Sequence, residues 1–336
     1  MILAGDIGGT HARIALFSEN AGQLKLEQEN IYPSRDHGGL GEIINQFLQG
    51  RNMSITHACF GIAGPVLNGR VSTSNLPWII EASALSQETS IPNITLINDL
   101  LAHASGIDDL EQSDFVILNA GSFTEGNEGL IAAGTGLGEA GLYWDGGMRH
   151  AFPCEGGHTD FAPRNEVEIA LLEYLIKRFG HVSYERILSG AGLKNIYDFL
   201  LNTKRDDVPP SLQDELNQSA DAAAVISTHG LQGKGGICEH SLDIFVSVYG
   251  AEAGNLALKL FATGGMFISG GIAAHILPKL TGKAFIEAFM AKGRMQPLLE
   301  SVPVKIIVND RIGLIGAARY AQVKQAGENK IQPVPS

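Results

Sequence analysis

One pattern occurs twice in this chain and limits what it can fold into. The first copy is Ile2-Leu3-Ala4-Gly5-Asp6-Ile7-Gly8-Gly9-Thr10-His11-Ala12-Arg13-Ile14-Ala15-Leu16-Phe17. The second is Leu130-Ile131-Ala132-Ala133-Gly134-Thr135-Gly136-Leu137-Gly138-Glu139-Ala140-Gly141-Leu142-Tyr143-Trp144. Each is an apolar run, a tight glycine and threonine turn, and a second apolar run, which is a hairpin signature. Glycine permits positive φ and lets another group come close to the main chain. Two such turns facing each other would present a double set of backbone N–H groups to a polyphosphate. The repetition therefore predicts two related domains with one nucleotide held between them.

The rest of the chain divides in the same way. Residues 1–17 read as two strands and 23–33 as a weaker third. Residues 41–49 carry Ile43, Ile44, Phe47 and Leu48 at helical spacing. Residues 57–63 form a short apolar run ended by Gly64-Pro65, and 94–97 form another that ends at Asn98-Asp99, with a helix expected over 100–105. The second copy opens near Phe115 and passes through the second hairpin. It then enters the clearest helix, 165–179, with Asn165 as N-cap and Glu168 three residues on. Val167, Leu171, Leu172, Leu175, Ile176 and Phe179 are expected to line its inner face. Residues 202–219 are polar and bear prolines, so they read as a surface excursion. Residues 241–261 suggest a buried helix, 266–269 and 304–308 strands, and 312–323 a last helix. The tail 331–336, with two prolines, is expected to fray.

Composition narrows the classes. A length of 336 residues gives a prior of about two domains. The chain has 41 glycines, well above the usual ~7%, and they fall in turns. The formal charge of -12 argues against a nucleic-acid partner, which needs a basic footprint. It also means that bound phosphates would be met by backbone donors and a metal more than by lysines. Cys59, Cys154 and Cys238 are far apart with no C-x-x-C pair, so neither a disulfide framework nor a zinc site is expected. No stretch approaches the ~18 apolar residues of a membrane span, and the first residues show no basic segment followed by an apolar core, Asp6 interrupting the first apolar run, so no export signal is expected. A soluble, cytoplasmic protein is expected.

The chemistry-bearing residues fall in four places. A P-loop is absent. Gly136, Gly138 and Gly141 match G-x-G-x-x-G, but the continuation Leu142-Tyr143-Trp144 reads as strand where a dinucleotide fold needs a helix, which argues against that fold. Asp6 in the first turn cannot meet phosphate oxygens without a cation between, and Mg²⁺ held by phosphates, waters and one or two carboxylates suits it. Asp99 ends an apolar strand, where α/β proteins put catalytic groups. Phosphoryl transfer to an alcohol needs a carboxylate to accept the hydroxyl proton, and an ordinary Asp with a pKa of about 3.9 is ionised at neutral pH. By position alone, however, Asp99 reads first as a helix N-cap. Asn98 beside it suits a sugar hydroxyl. Glu155 and His158 lie in a glycine-rich loop and could bind neighbouring hydroxyls, and Glu185 supplies another acid. No second His or Cys stands at ligand spacing from His158, so it does not read as a metal ligand.

With these residues placed, the chain resembles the bacterial glucokinase family, within the fold shared by sugar kinases, actin and heat-shock chaperone ATPases. The likeness covers about residues 2–322. It rests on Gly5-Asp6-Ile7-Gly8-Gly9-Thr10, Ile97-Asn98-Asp99, Gly134-Thr135-Gly136-Leu137-Gly138, Glu155-Gly156-Gly157-His158-Thr159-Asp160-Phe161-Ala162-Pro163, Glu185-Arg186-Ile187-Leu188-Ser189-Gly190 and Phe267-Ile268-Ser269-Gly270-Gly271-Ile272. The resemblance implies an α/β, two-domain actin-like ATPase (ribonuclease H-like) fold, with duplicated mixed-sheet domains around a central cleft. A small N-terminal domain would span 1–110, with a C-terminal helix at about 311–325 returning to it, and a large domain 111–310.

It also implies roles. Asp99 would be the base for the sugar 6-hydroxyl, and Asn98, Glu155, His158 and Glu185 would hold the other glucose hydroxyls. The nucleotide set would be Gly5, Asp6, Ile7, Gly8, Gly9, Thr10, Gly134, Thr135 and Gly136, with Gly270 and Gly271 near the adenosine and Asp6 near Mg²⁺, through water. Two departures stand out: His11 replaces the family's usual asparagine, so phosphate-side contacts are expected to differ, and Leu100 replaces a common aromatic behind the base. The zinc-binding cysteines of the related repressor and kinase group do not follow His158. The function expected is ATP-dependent phosphorylation of D-glucose to glucose 6-phosphate, in a homodimer as is usual among such proteins. The alternatives are a kinase of mannose, fructose or an N-acetylhexosamine, and a non-enzymatic nucleotide-switched actin-like protein.

Overall fold

Ile2, Leu3, Ile14 and Leu16 are inward-facing apolar residues on either side of the first glycine turn, and burying them requires a sheet. The computed structural model describes residues 1–330 except 52, 74, 75, 123, 207, 234 and 235; the tail expected to fray lies outside the described residues. It divides into two compact units. One comprises residues 1–112 with those from Asn309 onward, and the other Ser113–Val308.

The first unit is built on strands β1 (Ile2–Ile7), β2 (His11–Asn20), β3 (Gln23–Pro33), β4 (His57–Ile62), a small pair β5 (Arg70–Ser72) and β6 (Ile79–Glu81), and β7 (Asn93–Asn98). The main sheet runs in the order β3-β2-β1-β4-β7. β1 is antiparallel to β2 and parallel to β4, which is parallel to β7. The β2–β3 hairpin turns on Ala21 and Gly22, both at positive φ (51° and 83°), as a two-residue turn between right-twisted strands demands. Phe47, Phe60, Ile43, Ile44 and Leu16 fill the core on one face.

The second unit repeats the plan with β8 (Phe115–Asn119), β9 (Glu128–Ala133), β10 (Leu137–Trp144), β11 (Arg149–Cys154), β12 (Gly265–Ser269) and β13 (Val304–Ile307). Its order is β11-β10-β9-β12-β13-β8. The first five correspond one for one to β3-β2-β1-β4-β7, in the same directions; β8 is an added antiparallel edge. The duplication read from two hairpins is thus a duplication of whole five-stranded sheets.

Helix Ile237–Leu260 is mixed apolar and mostly buried, with His240, Asp243 and Lys259 on its exposed side. Helix Glu166–Phe179 is capped by Asn165, whose side chain accepts the Glu168 amide at 3.0 Å. Its buried row is Glu168, Leu171 and Leu175, whereas Ile176 is exposed; the inner face expected from sequence was too wide by a step around the helix. Glu168 is buried because Arg164 clasps it at 2.5 Å. The polar stretch read as a surface excursion contains helix Pro210–Gln218, which buries Leu212 and Leu216 against the core.

The last helix, Ile312–Lys330, belongs to the first unit, where it packs on helix Asp99–Ser105. Gly316 makes this possible, because a Cβ there would collide with the Ala102 carbonyl oxygen. In an open helix Gly→Ala stabilises by about 1 kcal/mol. At this contact Gly316→Ala is expected instead to lower stability by about 1–3 kcal/mol, read from the urea midpoint; a higher midpoint contradicts the packing.

Candidate active site

In the first unit the site residues sit at the carboxyl ends of parallel strands. Register aligns Ile7 with Ile62 and Ile62 with Asn98, so the turn after β1 and the helix start after β7 leave the same sheet edge. Gly8 donates its amide to the His11 carbonyl at 2.9 Å, closing the hairpin. Buried Ser34 braces the turn: its hydroxyl donates to the Gly8 carbonyl and its amide to Thr10, both at 2.9 Å. Gly8 and Gly9 are half-buried and Thr10 exposed. Two residues of the expected nucleotide set behave otherwise. Gly5 is inside β1, where a Cβ would stand 2.5 Å from the Phe60 ring, and Ile7 is 2% exposed in the core. Both are packing residues, because they belong to the strand and not to the turn.

Asp6 lies opposite Arg13 on β2 and Gly61 on β4. Its carboxyl abuts the last helix at Gly313, where a Cβ would be 2.7 Å from Oδ2. Burial pushes this carboxyl up, with His103 and then Arg13 pulling it back, and burial in turn pushes the His103 imidazole down.

The N-cap of helix Asp99–Ser105 is Asn98 and not Asp99. The Asn98 Oδ1 accepts the Leu100 and Leu101 amides at 2.9 and 3.3 Å, and its Nδ2 donates to the Gly64 carbonyl at 3.3 Å. Asp99 is the first residue of the helix, half-buried, with Oδ1 on the Leu100 amide at 3.0 Å. Leu100 is buried behind it.

In the second unit the template is the start of β10. The turn before it is closed by Gly134 N–H to Gly136 O at 2.8 Å and tied to helix Gly190–Asn202 by Gly190 N–H to Gly134 O at 3.0 Å. Thr135 is exposed at its tip. Gly270 follows β12 at φ 92°, where a Cβ would be 2.5 Å from the Ala133 carbonyl oxygen. The Gly134–Gly136 turn and the Gly270-Gly271 step therefore lie side by side. The Leu137 amide donates to Glu185 Oε2 at 3.0 Å. The Leu137 carbonyl and the Glu139 carboxyl occupy the room that Cβ atoms at Gly157 and Gly156 would need, so only glycines let the 155–158 turn settle there. Thr159 and Phe161 are stitched to Tyr184 and Val182 by main-chain bonds of 3.1 and 2.9 Å.

The result brings three sequence-predicted residues together. His158 Nε2 is 3.9 Å from Glu155 Oε2, and His158 Nδ1 is 4.0 Å from Glu185 Oε1. All three side chains keep solvent-facing polar atoms, an array suited to a ligand with several hydroxyls. Among the described residues no group of three or more His, Cys, Asp or Glu is placed to hold a metal ion. Ser34, Gly313 and Glu139 were missed by sequence reasoning; only the glycine pair 156–157 hinted that something presses on that turn.

Paired five-stranded units of this order, each with a glycine turn after its first strand, define the actin-like ATPase fold of sugar kinases. The solved glucokinase of an Antarctic psychrotroph superposes with a TM-score of 0.83 at 32% identity, covering 96% of this chain and 98% of that one. The Streptomyces griseus glucokinase of the ROK family, solved with glucose and AMPPNP, shares the fold at a TM-score of 0.65 and 20% identity, covering 96% and 99%. The glucokinase of Trichormus variabilis is 43% identical over 96% of this chain and 98% of its own length. The sequence matches the family model described as Glucokinase over residues 3–324, and the chain belongs to that family.

Asn98→Ala removes the cap of a seven-residue helix and is expected to cost about 1 kcal/mol in a urea titration. An unchanged midpoint contradicts the capping role.

Proposed function

We propose that this protein is a glucokinase, transferring the γ-phosphoryl group of ATP to the 6-hydroxyl of D-glucose. The observation that carries the reading is the Glu155–His158–Glu185 cluster, joined to family membership over nearly the whole chain. Glu155 and Glu185 accept hydrogen bonds from sugar hydroxyls, and His158 between them donates or accepts according to tautomer. Asn98 uses one amide hydrogen on Gly64 and keeps the second for a sugar hydroxyl. Asp99 is the base that takes the 6-hydroxyl proton as the oxygen attacks the phosphorus in line. The turns Gly8-Gly9-Thr10 and Gly134-Thr135-Gly136 cradle the phosphates through the N–H groups of Gly9, Thr10, Thr135 and Gly136, those of Gly8 and Gly134 being used to close the hairpins, and Gly270-Gly271 lies near the adenosine.

The donor set fits Mg²⁺. A half-buried carboxyl beside a phosphate-binding turn, pushed toward its neutral form by burial, gains from a cation held through water. Mg²⁺ binding needs only one or two carboxylates when phosphates and waters supply the rest. Bound there, the ion would offset phosphate charge. Catalysis otherwise rests on positioning and on exclusion of water. Among the described residues no helix is long and apolar enough to cross a membrane; a cytoplasmic location and a homodimer are parts of the proposal.

The decisive measurement is ADP release with and without glucose, extended to mannose, fructose and N-acetylglucosamine. Release that ignores glucose overturns the reading. Asp99→Asn should lower kcat by about 10²–10⁴ with glucose affinity kept, and wild-type turnover would refute the base assignment. Loss of a charged hydrogen bond costs ~1.5–3 kcal/mol. Glu155→Gln should therefore raise KM for glucose roughly 10- to 100-fold while leaving KM for ATP alone.

A further inference from the structure

The turn that carries Glu155 and His158 rests on a carboxyl group that has no evident reason to be there. Glu139 is on β10, paired in register with Cys154, the last residue before the turn. It is 1% exposed, and neither of its side-chain oxygens has a hydrogen-bond partner among the described residues. One of those oxygens, Oε2, fills the space in front of Gly156 that any side chain there would need. A buried, unpartnered carboxylate is strongly disfavoured, so this arrangement is far easier to form with the group uncharged.

The surroundings reinforce the point. Helix Ile237–Leu260 brings Glu252, fully buried, to the same region, paired with Lys259 at 3.0 Å and with Asn255 at 2.8 Å. Asn255 also donates to the Tyr184 hydroxyl at 3.0 Å and accepts from Lys292 at 2.5 Å. Burial first, then Glu252, push the Glu139 carboxyl up to about 8, against a smaller pull from Lys259. The other titratable groups in reach are Cys154 and Tyr249, both pushed up by burial, and Glu155. Lys292, brought down to about 8 by burial and then Arg164, titrates in the same range.

We propose that Glu139 is a positioning residue for the sugar-binding turn: as a neutral acid it seats Gly156 and aligns Glu155 and His158, and on ionisation it draws in water and the turn gives way. The proposal rests on the reading of Glu155 and His158 as glucose ligands. The sign follows from the proton. The competent form is protonated, so affinity is full below the ionisation range and is lost as pH rises through it. Affinity scales with the competent fraction. For an ionisation at about 8, the dissociation constant for glucose should therefore rise about tenfold by pH 9, with kcat at saturating glucose changing much less.

The test is calorimetric titration of the full-length protein with D-glucose from pH 6.5 to 9.5, without nucleotide, alongside KM and kcat. Glu139→Gln keeps the shape and cannot ionise, so its affinity should stay flat where the wild type weakens; Lys292 is retained, so its titration cannot explain the difference. Glu252→Gln removes the neighbouring negative charge and should move the weakening to lower pH, and it carries the test if the first variant does not fold. A wild-type rise that persists in Glu139→Gln, a wild-type affinity flat to pH 9.5, or an unmoved profile in Glu252→Gln overturns the proposal. If Glu155→Gln leaves glucose affinity unchanged, it is the assignment of the sugar site that fails, and this result is separate from the pH profiles.

Discussion

The parallel pairing of β1 with β4 and of β4 with β7 is the constraint on which the chemistry of the first unit depends. It fixes Ile7, Ile62 and Asn98 in one row, and so makes the Gly8–Thr10 turn and helix Asp99–Ser105 leave from a single edge. Asp6 and Asp99 are 93 positions apart in sequence and are brought to the same end of the sheet only through that register. The second unit obeys the same constraint with β9 and β12, which set the Gly134–Gly136 turn beside Gly270. Carboxyl ends of parallel strands are where α/β folds leave backbone groups and side chains available to ligands. Here the same rule operates twice in one chain.

Around this frame, glycine works as an absence of side chain. Gly316 lets the last helix touch the helix that begins with Asp99, and Gly313 leaves room for the Asp6 carboxyl. Gly156 and Gly157 let the 155–158 turn lie down on Leu137 and Glu139. The high glycine content is partly a consequence of turns, but much of it serves close approach between elements far apart in sequence.

The long apolar helix, the capped helix after Asn165 and both hairpins were legible because their signals are local: periodicity, a cap and a turn. The inner face of helix Glu166–Phe179 was misread because hydrophobicity alone placed Ile176 inward, whereas the partner side chains select Glu168 with Arg164. Helix Pro210–Gln218 was missed because two leucines among polar residues are too few to show a period. Of the site, Glu155, His158 and Glu185 could be named from motif, but that Glu185 is held by the Leu137 amide could not be. The capping role passed from Asp99 to Asn98 because both residue types cap well and only the backbone angle at the helix start decides between them.

The sequence by itself determined the kind of protein: the doubled glycine hairpins, the strand ending in Asn98-Asp99 and the acidic glycine-rich loop define a sugar kinase through residue type and order. Only the tertiary structure decided which glycines are turn and which are packing, and which buried acid lies beneath the 155–158 turn. The physical reason is that local preference depends on neighbours in the chain. The cost of a buried carboxyl, the room for a Cβ and the reach of a hydrogen bond depend on neighbours in space.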